Sequence, residues 1–206
     1  MTLRTHRADL PDLAHYAGVP AVAIDTETMG LSLTRDRLCV VQLSPGDGSA
    51  DVVQIAPHAT GAPNLTRLFS DPSILKIFHF ARFDLGVLQN AFGVMPSPIY
   101  CTKIASRIAR TYTDKHGLKD LVREMLGHEI SKQLQMSDWG AVGLSDAQVS
   151  YAASDVLYLH ALKEKLDLML VREGRQQLAA ACFRFLPDRV RLDLAGFAGE
   201  DMFAHS

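Results

Sequence analysis

Apolar and polar positions divide this chain into a strand-rich first half and a helical second half. Val19 to Thr26 reads as a buried strand, with Gly18 and Pro20 punctuating its start and Val22 and Ile24 alternating with Ala21 and Ala23. Leu38 to Leu43 predicts a second strand, Pro45-Gly46-Asp47-Gly48 a turn, and Asp51 to Ile55 a third strand, the three forming an antiparallel meander. Asn64 to Phe69 suits a short helix stopped at Asp71-Pro72, and Ile74 to Phe78 a fourth strand. Phe83 to Phe92 follows as a helix closed by Gly93, and Ile99 to Cys101 as a short fifth strand. Beyond that the spacing is helical: Thr102 to Arg110, Leu118 to Leu126, and a long segment from about Ser145 to Glu173 that opens on a Ser145-x-x-Gln148 capping box. Arg175 to Phe185 is a last helix, ended by Pro187 before a tail to Ser206. The order predicts an α/β fold, a mixed five-stranded sheet flanked by helices.

Composition narrows the setting. The 206 residues suit one domain, and 48% hydrophobic with 21% charged residues marks a globular chain rather than a disordered one. No apolar run approaches the roughly 20 residues that span a bilayer, and the first nine residues lack the apolar core of a secretory signal. Cys39, Cys101 and Cys182 are odd in number and show no Cys-x-x-Cys spacing, which disfavours a disulfide framework or a cysteine zinc site and points to a cytoplasmic location. A net charge of −2 argues against gripping long nucleic acid by charge alone. The placement of the 23 acids then becomes the informative feature.

Four acids lie on otherwise apolar elements. Asp25 and Glu27 end the first strand two residues apart, so both side chains project from one face. Either they are solvated in a turn, or they are buried and bind a metal, since buried charges need a partner. Asp155 falls in the helical row Tyr151, Asp155, Leu159, Leu162, Leu166, which should press against the sheet; a salt-bridged core aspartate is the other reading. Asp84 stands at a strand-to-helix transition, where an aspartate also serves as a cap. Four acids converging on a sheet would suit two hard divalent cations, Mg²⁺ or Mn²⁺, and a phosphodiester substrate. Gly-x-Ser-x-Gly, the phosphate-binding Gly-x-x-x-x-Gly-Lys-Ser/Thr and His-Glu-x-x-His are all missing from the chain, and its eight histidines are scattered.

Three segments, Ala23-Ile24-Asp25-Thr26-Glu27-Thr28-Met29-Gly30-Leu31, Phe80-Ala81-Arg82-Phe83-Asp84-Leu85 and Tyr151-Ala152-Ala153-Ser154-Asp155-Val156, resemble in order the three motifs of the DEDDy 3′–5′ exonucleases, and among them ribonuclease D. Cys101 to Arg107, His116-Gly117-Leu118-Lys119 and Ser137-Asp138-Trp139 are similar to ribonuclease D as well. The resemblance covers about residues 20–170, and residues 175–206 add a C-terminal helix and tail with no room for a further helical RNA-binding domain. In that compactness, and in Cys182 to Pro187 and Phe203 to Ser206, the chain resembles the alphaproteobacterial nano-RNase C group of oligoribonucleases.

The resemblance implies a ribonuclease-H-like exonuclease fold and two divalent cations held by Asp25, Glu27, Asp84 and Asp155, with Tyr151 orienting the attacking water. It also implies hydrolysis of very short RNA, dinucleotides included, by a ring-shaped homo-octamer with no membrane partner. Thr26, Leu31, His79, Lys103, Arg107, Tyr112 and His116 are the candidate substrate contacts: Leu31 as a wedge against bases, Lys103, Arg107 and Arg110 as a basic helical stripe, Tyr112 and His116 as a cap on a 5′-phosphate. A core leucine, a solvated basic face and a satisfied core histidine at 79 are the plainer alternatives. Trimming of longer structured RNA and a catalytically silent RNA-binding subunit are the rival functions.

Overall fold

In the computed structural model, which describes residues 2–57, 59, 61–131 and 133–205, the apolar runs of the first half pair into one mixed sheet. Its strands are β1 (Thr2–Arg7), β2 (Ala21–Thr28), β3 (Leu38–Ser44), β4 (Ser49–Gln54), β5 (Leu75–Phe78) and β6 (Ile99–Cys101), in the spatial order β1-β4-β3-β2-β5-β6. The predicted meander is present, with β2 antiparallel to β3 and β3 to β4. β5 lies parallel to β2, and β6 to β5. The helices are α1 (Pro63–Ser70), α2 (Ala81–Phe92), α3 (Thr102–Ala109), α4 (Leu118–Leu121, continued by a wider turn over Val122–Leu126), α5 (Asp146–Leu157), α6 (Leu159–Arg172) and α7 (Gln176–Leu192).

Two apolar layers fill the space between sheet and helices. Val22, Ile24, Val41, Leu43 and Val53 face one layer with residues of α1, α2 and α7. Ala21, Ala23, Val40, Val52 and Ile77 face the other with residues of α3, α5 and α6. The period of two along β2 places Asp25 and Glu27 on the second face, under α5, and Thr26 on the first, toward α2. β5 pairs with β2 only as far as Ala23. Past that point β5 turns away into α2, so the end of β2 that carries the acids opens onto a cleft.

Three elements depart from the sequence reading. The sheet has six strands, not five, because β1 joins its edge, parallel to β4. Thr2–Arg7 has no apolar alternation, and it docks by charge. Arg4 donates twice to Asp51, at 2.7 and 2.8 Å, while His6 meets Asp51 at 2.7 Å and Tyr16 donates to it at 2.6 Å. Burial pushes the Asp51 carboxyl up, but the bonds from Arg4, Tyr16 and His6 outweigh it and bring it to about 2.

The long helix predicted from Ser145 to Glu173 is two helices, broken at Tyr158. Its capping box is present, with Ser145 and Gln148 each bonded to the other's backbone N–H. α5 packs on β2, β3 and β4, whereas α6 packs mainly on α3, so their axes answer to different partners. The last helix runs through Pro187 to Leu192, held by buried Leu186 and Val190 on either side of the proline. Ser206, the end of the predicted tail, lies outside the described residues. Among those residues no helix is long and apolar enough to cross a membrane.

Candidate active site

A cleft of about 510 Å³ opens at the end of β2, and Asp25, Thr26, Glu27, Leu31, His79, Asp84, Lys103, Tyr151 and Asp155 all line it. β2 supplies Asp25 and Glu27 from one face, and α5 lays Asp155 against them. Oxygens of these three carboxylates lie within 4.8 Å of one another. Asp84 enters from the first turn of α2, 3% exposed, and accepts a hydrogen bond from Thr26 Oγ1 at 2.7 Å. The two faces of β2 therefore meet at its end: Asp25 and Glu27 reach the site directly, and Thr26 reaches it by holding Asp84. Loss of the hydroxyl in Thr26→Val, which keeps the side chain's shape, removes the bond that holds the Asp84 carboxylate and is expected to lower the activity of this cleft about tenfold, with little change in melting temperature.

Electrostatics sets these acids apart from ordinary surface carboxylates. Burial, then the charges of Asp84, Asp155 and Glu27, pushes Asp25 well up. Burial and then Asp155 and Asp84 bring Glu27 to about 8, and burial brings Asp84 up to about 7 against the pull of its bond from Thr26. The charges acting most strongly on Asp25 and Glu27 are those of other carboxylates. Such a set fits hard divalent cations: the donors are all oxygen and they stand close together. The Tyr151 phenol, pushed up by burial and by Asp155, Glu27 and Asp25, stays protonated at neutral pH and can donate to a neighbouring oxygen. The ring of Trp139, 3% exposed, stands 5.9 Å from that of Tyr151 and backs it.

The remaining sequence candidates separate. Leu31 stands 85% exposed at the cleft mouth, among exposed Met29, Phe80 and Met136. Thr102 gives its hydroxyl proton to the Phe78 carbonyl at 3.1 Å, so it accepts from His79 Nδ1 at 2.9 Å, and that bond fixes the imidazole beside the cleft. The ammonium of Lys103 sits 4.4 Å from the centre of the Phe80 ring.

Arg107, Tyr112 and His116 are not among the residues lining the cleft. Arg107 is exposed on α3, Tyr112 is exposed beside the Arg110 guanidinium, and His116 Nδ1 is 2.8 Å from Ser106 Oγ. Nor do Lys103, Arg107 and Arg110 make one basic face, because Arg110 is 2% exposed, paired with Glu124 and donating to the Lys115 carbonyl at 2.9 Å. Removing a buried guanidinium from its pair is costly, so Arg110→Ala is expected to lower stability by about 3 kcal/mol, a melting-temperature fall of roughly 6–12 °C.

Phe80, Phe83, Lys119, Gln135, Met136 and Trp139 also line the cleft, and sequence reasoning did not name them as site residues. Phe80, Phe83, Lys119 and Trp139 sit inside the segments that carry the resemblance, which was the available signal. Arg82, in the same segment as Asp84, faces away and binds Asp193 through two bonds of 2.5 and 2.7 Å, tying α2 to the end of α7.

Residues 8–171 match the family model described as 3′-5′ exonuclease. The chain is 40% identical over 162 residues to ribonuclease D of Acidiphilium cryptum, an alignment covering 77% of this chain and 40% of that protein. It therefore spans about two fifths of the length of such relatives. Among solved structures it is similar to Brucella melitensis NrnC with bound Mg²⁺, at 61% identity and a TM-score of 0.96, and to the same protein bound to pGG, at 62% and 0.97, each covering 100% of both chains.

Proposed function

This chain belongs to the 3′–5′ exonuclease family, and from that membership we propose that it hydrolyses very short oligoribonucleotides, dinucleotides included, to nucleoside 5′-monophosphates at the end of RNA decay. The observation that carries the reading is the convergence of Asp25, Glu27, Asp84 and Asp155 with Tyr151 in one cleft rimmed by exposed Leu31, Met29, Phe80 and Met136. Likeness across the full chain to a protein whose structure was solved with pGG supports the short substrate. The net charge of −2 supports it too, since a long RNA needs a basic track.

Asp25, Glu27 and Asp155 hold two divalent cations, Mg²⁺ or Mn²⁺, with Asp84 supporting the second, and Thr26 keeps Asp84 in place. Bound ions of this kind supply a more acidic water and neutralise charge on the phosphoryl oxygens. Tyr151 orients the attacking water through its protonated hydroxyl, aligning it with the phosphorus opposite the departing 3′-oxygen. Leu31 wedges against a base, and Lys103 and His79 face the sugar–phosphate. Cleavage transfers the phosphate to water's oxygen and leaves a 3′-hydroxyl on the remaining nucleotide. The protein acts in the cytoplasm as a ring-shaped homo-octamer, the assembly implied by the resemblance; a monomer in light scattering would contradict that assembly.

A 5′-labelled RNA dinucleotide incubated with the protein and Mg²⁺ should yield mononucleotides, faster than a longer RNA loses its 3′ residue. A comparable or greater rate on the longer RNA would replace this reading by 3′-end trimming. No turnover in either metal would leave an RNA-binding role.

A further inference from the structure

Phe80 breaks a local rule at the edge of the cleft. Its backbone is left-handed, at φ 69° and ψ 44°, and among the described residues the other non-glycine with positive φ is Ala8. A bulky aromatic side chain is disfavoured there, whereas glycine or asparagine adopts it readily. Phe80 also occupies the N-cap of α2, a position that favours a small polar side chain, and it makes no capping hydrogen bond. Nor does the core account for the ring, which is 46% exposed and belongs to neither apolar layer. The ring lines the cleft with the four acids and Tyr151, and the Lys103 ammonium stands over it at 4.4 Å. Where local propensity is overridden without a gain in packing, the gain belongs to function.

We infer that Phe80 is a specificity-determining residue, the face of its ring opposite the Lys103 ammonium a stacking platform for a nucleobase of the substrate, with Lys103 over the other face for the adjoining phosphate. The inference rests on the short-RNA reading of this cleft and adds to it the group that grips the base. Lys103 above the ring supplies a positive charge within reach of a phosphate, and the ring supplies a flat apolar surface. Stacking accepts every base because each has a π-face, so a platform of this kind demands a base at the cleft without selecting which one. It complements Leu31, which has no flat face to offer, and it ties base binding to the start of the helix that carries Asp84.

Phe80→Asn is the discriminating variant, since asparagine tolerates the left-handed backbone. It should melt at or above the wild-type temperature while its KM for RNA dinucleotides rises roughly 5- to 150-fold, by a similar factor for all four bases, with kcat changed much less. Phe80→Trp should restore most of the loss. A dinucleotide with one residue made abasic, at whichever end gives the larger effect, should cost the wild type a similar factor and cost Phe80→Asn almost nothing. Wild-type turnover with a KM for Phe80→Asn within twofold, or an equal abasic penalty in both proteins, overturns the platform alone. Absence of wild-type turnover on dinucleotides overturns the substrate reading, and the platform with it.

Discussion

Asp25→Asn is expected to cut turnover of an RNA dinucleotide by about 10³-fold or more and, in the same protein, to raise the melting temperature measured in EDTA at pH 8. Both effects come from the same crowding. Oxygens of Asp25, Glu27 and Asp155 lie within 4.8 Å of one another, and burial plus three neighbouring carboxylates pushes the Asp25 carboxyl up. Asparagine keeps the shape and removes one repelling charge, so the metal-free fold loses a source of strain. The price is the charge that would hold a cation, and Mg²⁺ should therefore raise the melting temperature of the wild type far more than that of the variant. A variant that lost activity, melted lower than wild type in EDTA and kept the full Mg²⁺-induced rise would show Asp25 to be a structural residue instead.

Metal-free protein should lose stability as pH rises from 6.5 to 8, and Mg²⁺ should flatten that slope. Burial first, then like charges, brings Glu27 from an ordinary 4.5 up to about 8, and burial raises Asp84 to about 7. A carboxyl whose pKa is higher in the folded than in the unfolded chain keeps its proton longer when folded. Its contribution to stability is therefore complete below the unfolded pKa and is lost as pH climbs through the folded one. Other groups bound the window. His116 and His160, held low by burial, act in the opposite sense below about 6.5, and Lys76, brought down to about 8 by burial, does so above that value. Each kcal/mol corresponds to about 2–4 °C at this chain length, so thermal melts at three pH values resolve the slope. Glu27→Gln supplies the control, because it should remove much of the slope without metal. A melting temperature that is flat or rising with pH in EDTA for the wild type would contradict the electrostatic account of the site.

Legibility in the sequence followed the kind of force involved. The meander, α2 closed by the left-handed Gly93 and the capping box at Ser145 were readable because each is written in adjacent residues. β1 was not, since the side chains that dock it are Arg4 and His6, drawn to Asp51, 47 and 45 residues away. The break at Tyr158 was equally hidden: no glycine or proline marks it, and the helix divides where its packing partners change. Among the functional candidates, period two along β2 correctly put Asp25 and Glu27 on one face, and the helical row brought Asp155 to them. The same row-counting failed for Lys103, Arg107 and Arg110, because a helical repeat shows which residues share a face but not which guanidinium finds a carboxylate elsewhere. Glu124 took Arg110 out of solvent.

Spacing by itself thus determined a mixed sheet flanked by helices, with Asp25 and Glu27 on one face and Asp155 in the helical row that meets it. The resemblance to known exonucleases added the exonuclease-type fold, Asp84 and Tyr151 as members of the group, and Leu31 beside them. Tertiary structure decided the rest. It placed Asp84 behind Thr26, backed Tyr151 with Trp139, took Arg110 away from the surface, and held the Phe80 ring in the cleft on a left-handed backbone. The physical reason is range. Periodicity and turn chemistry act over a few residues and are recorded locally, whereas the charge balance of a buried cluster and the exposure of a ring depend on which distant segments the fold brings together.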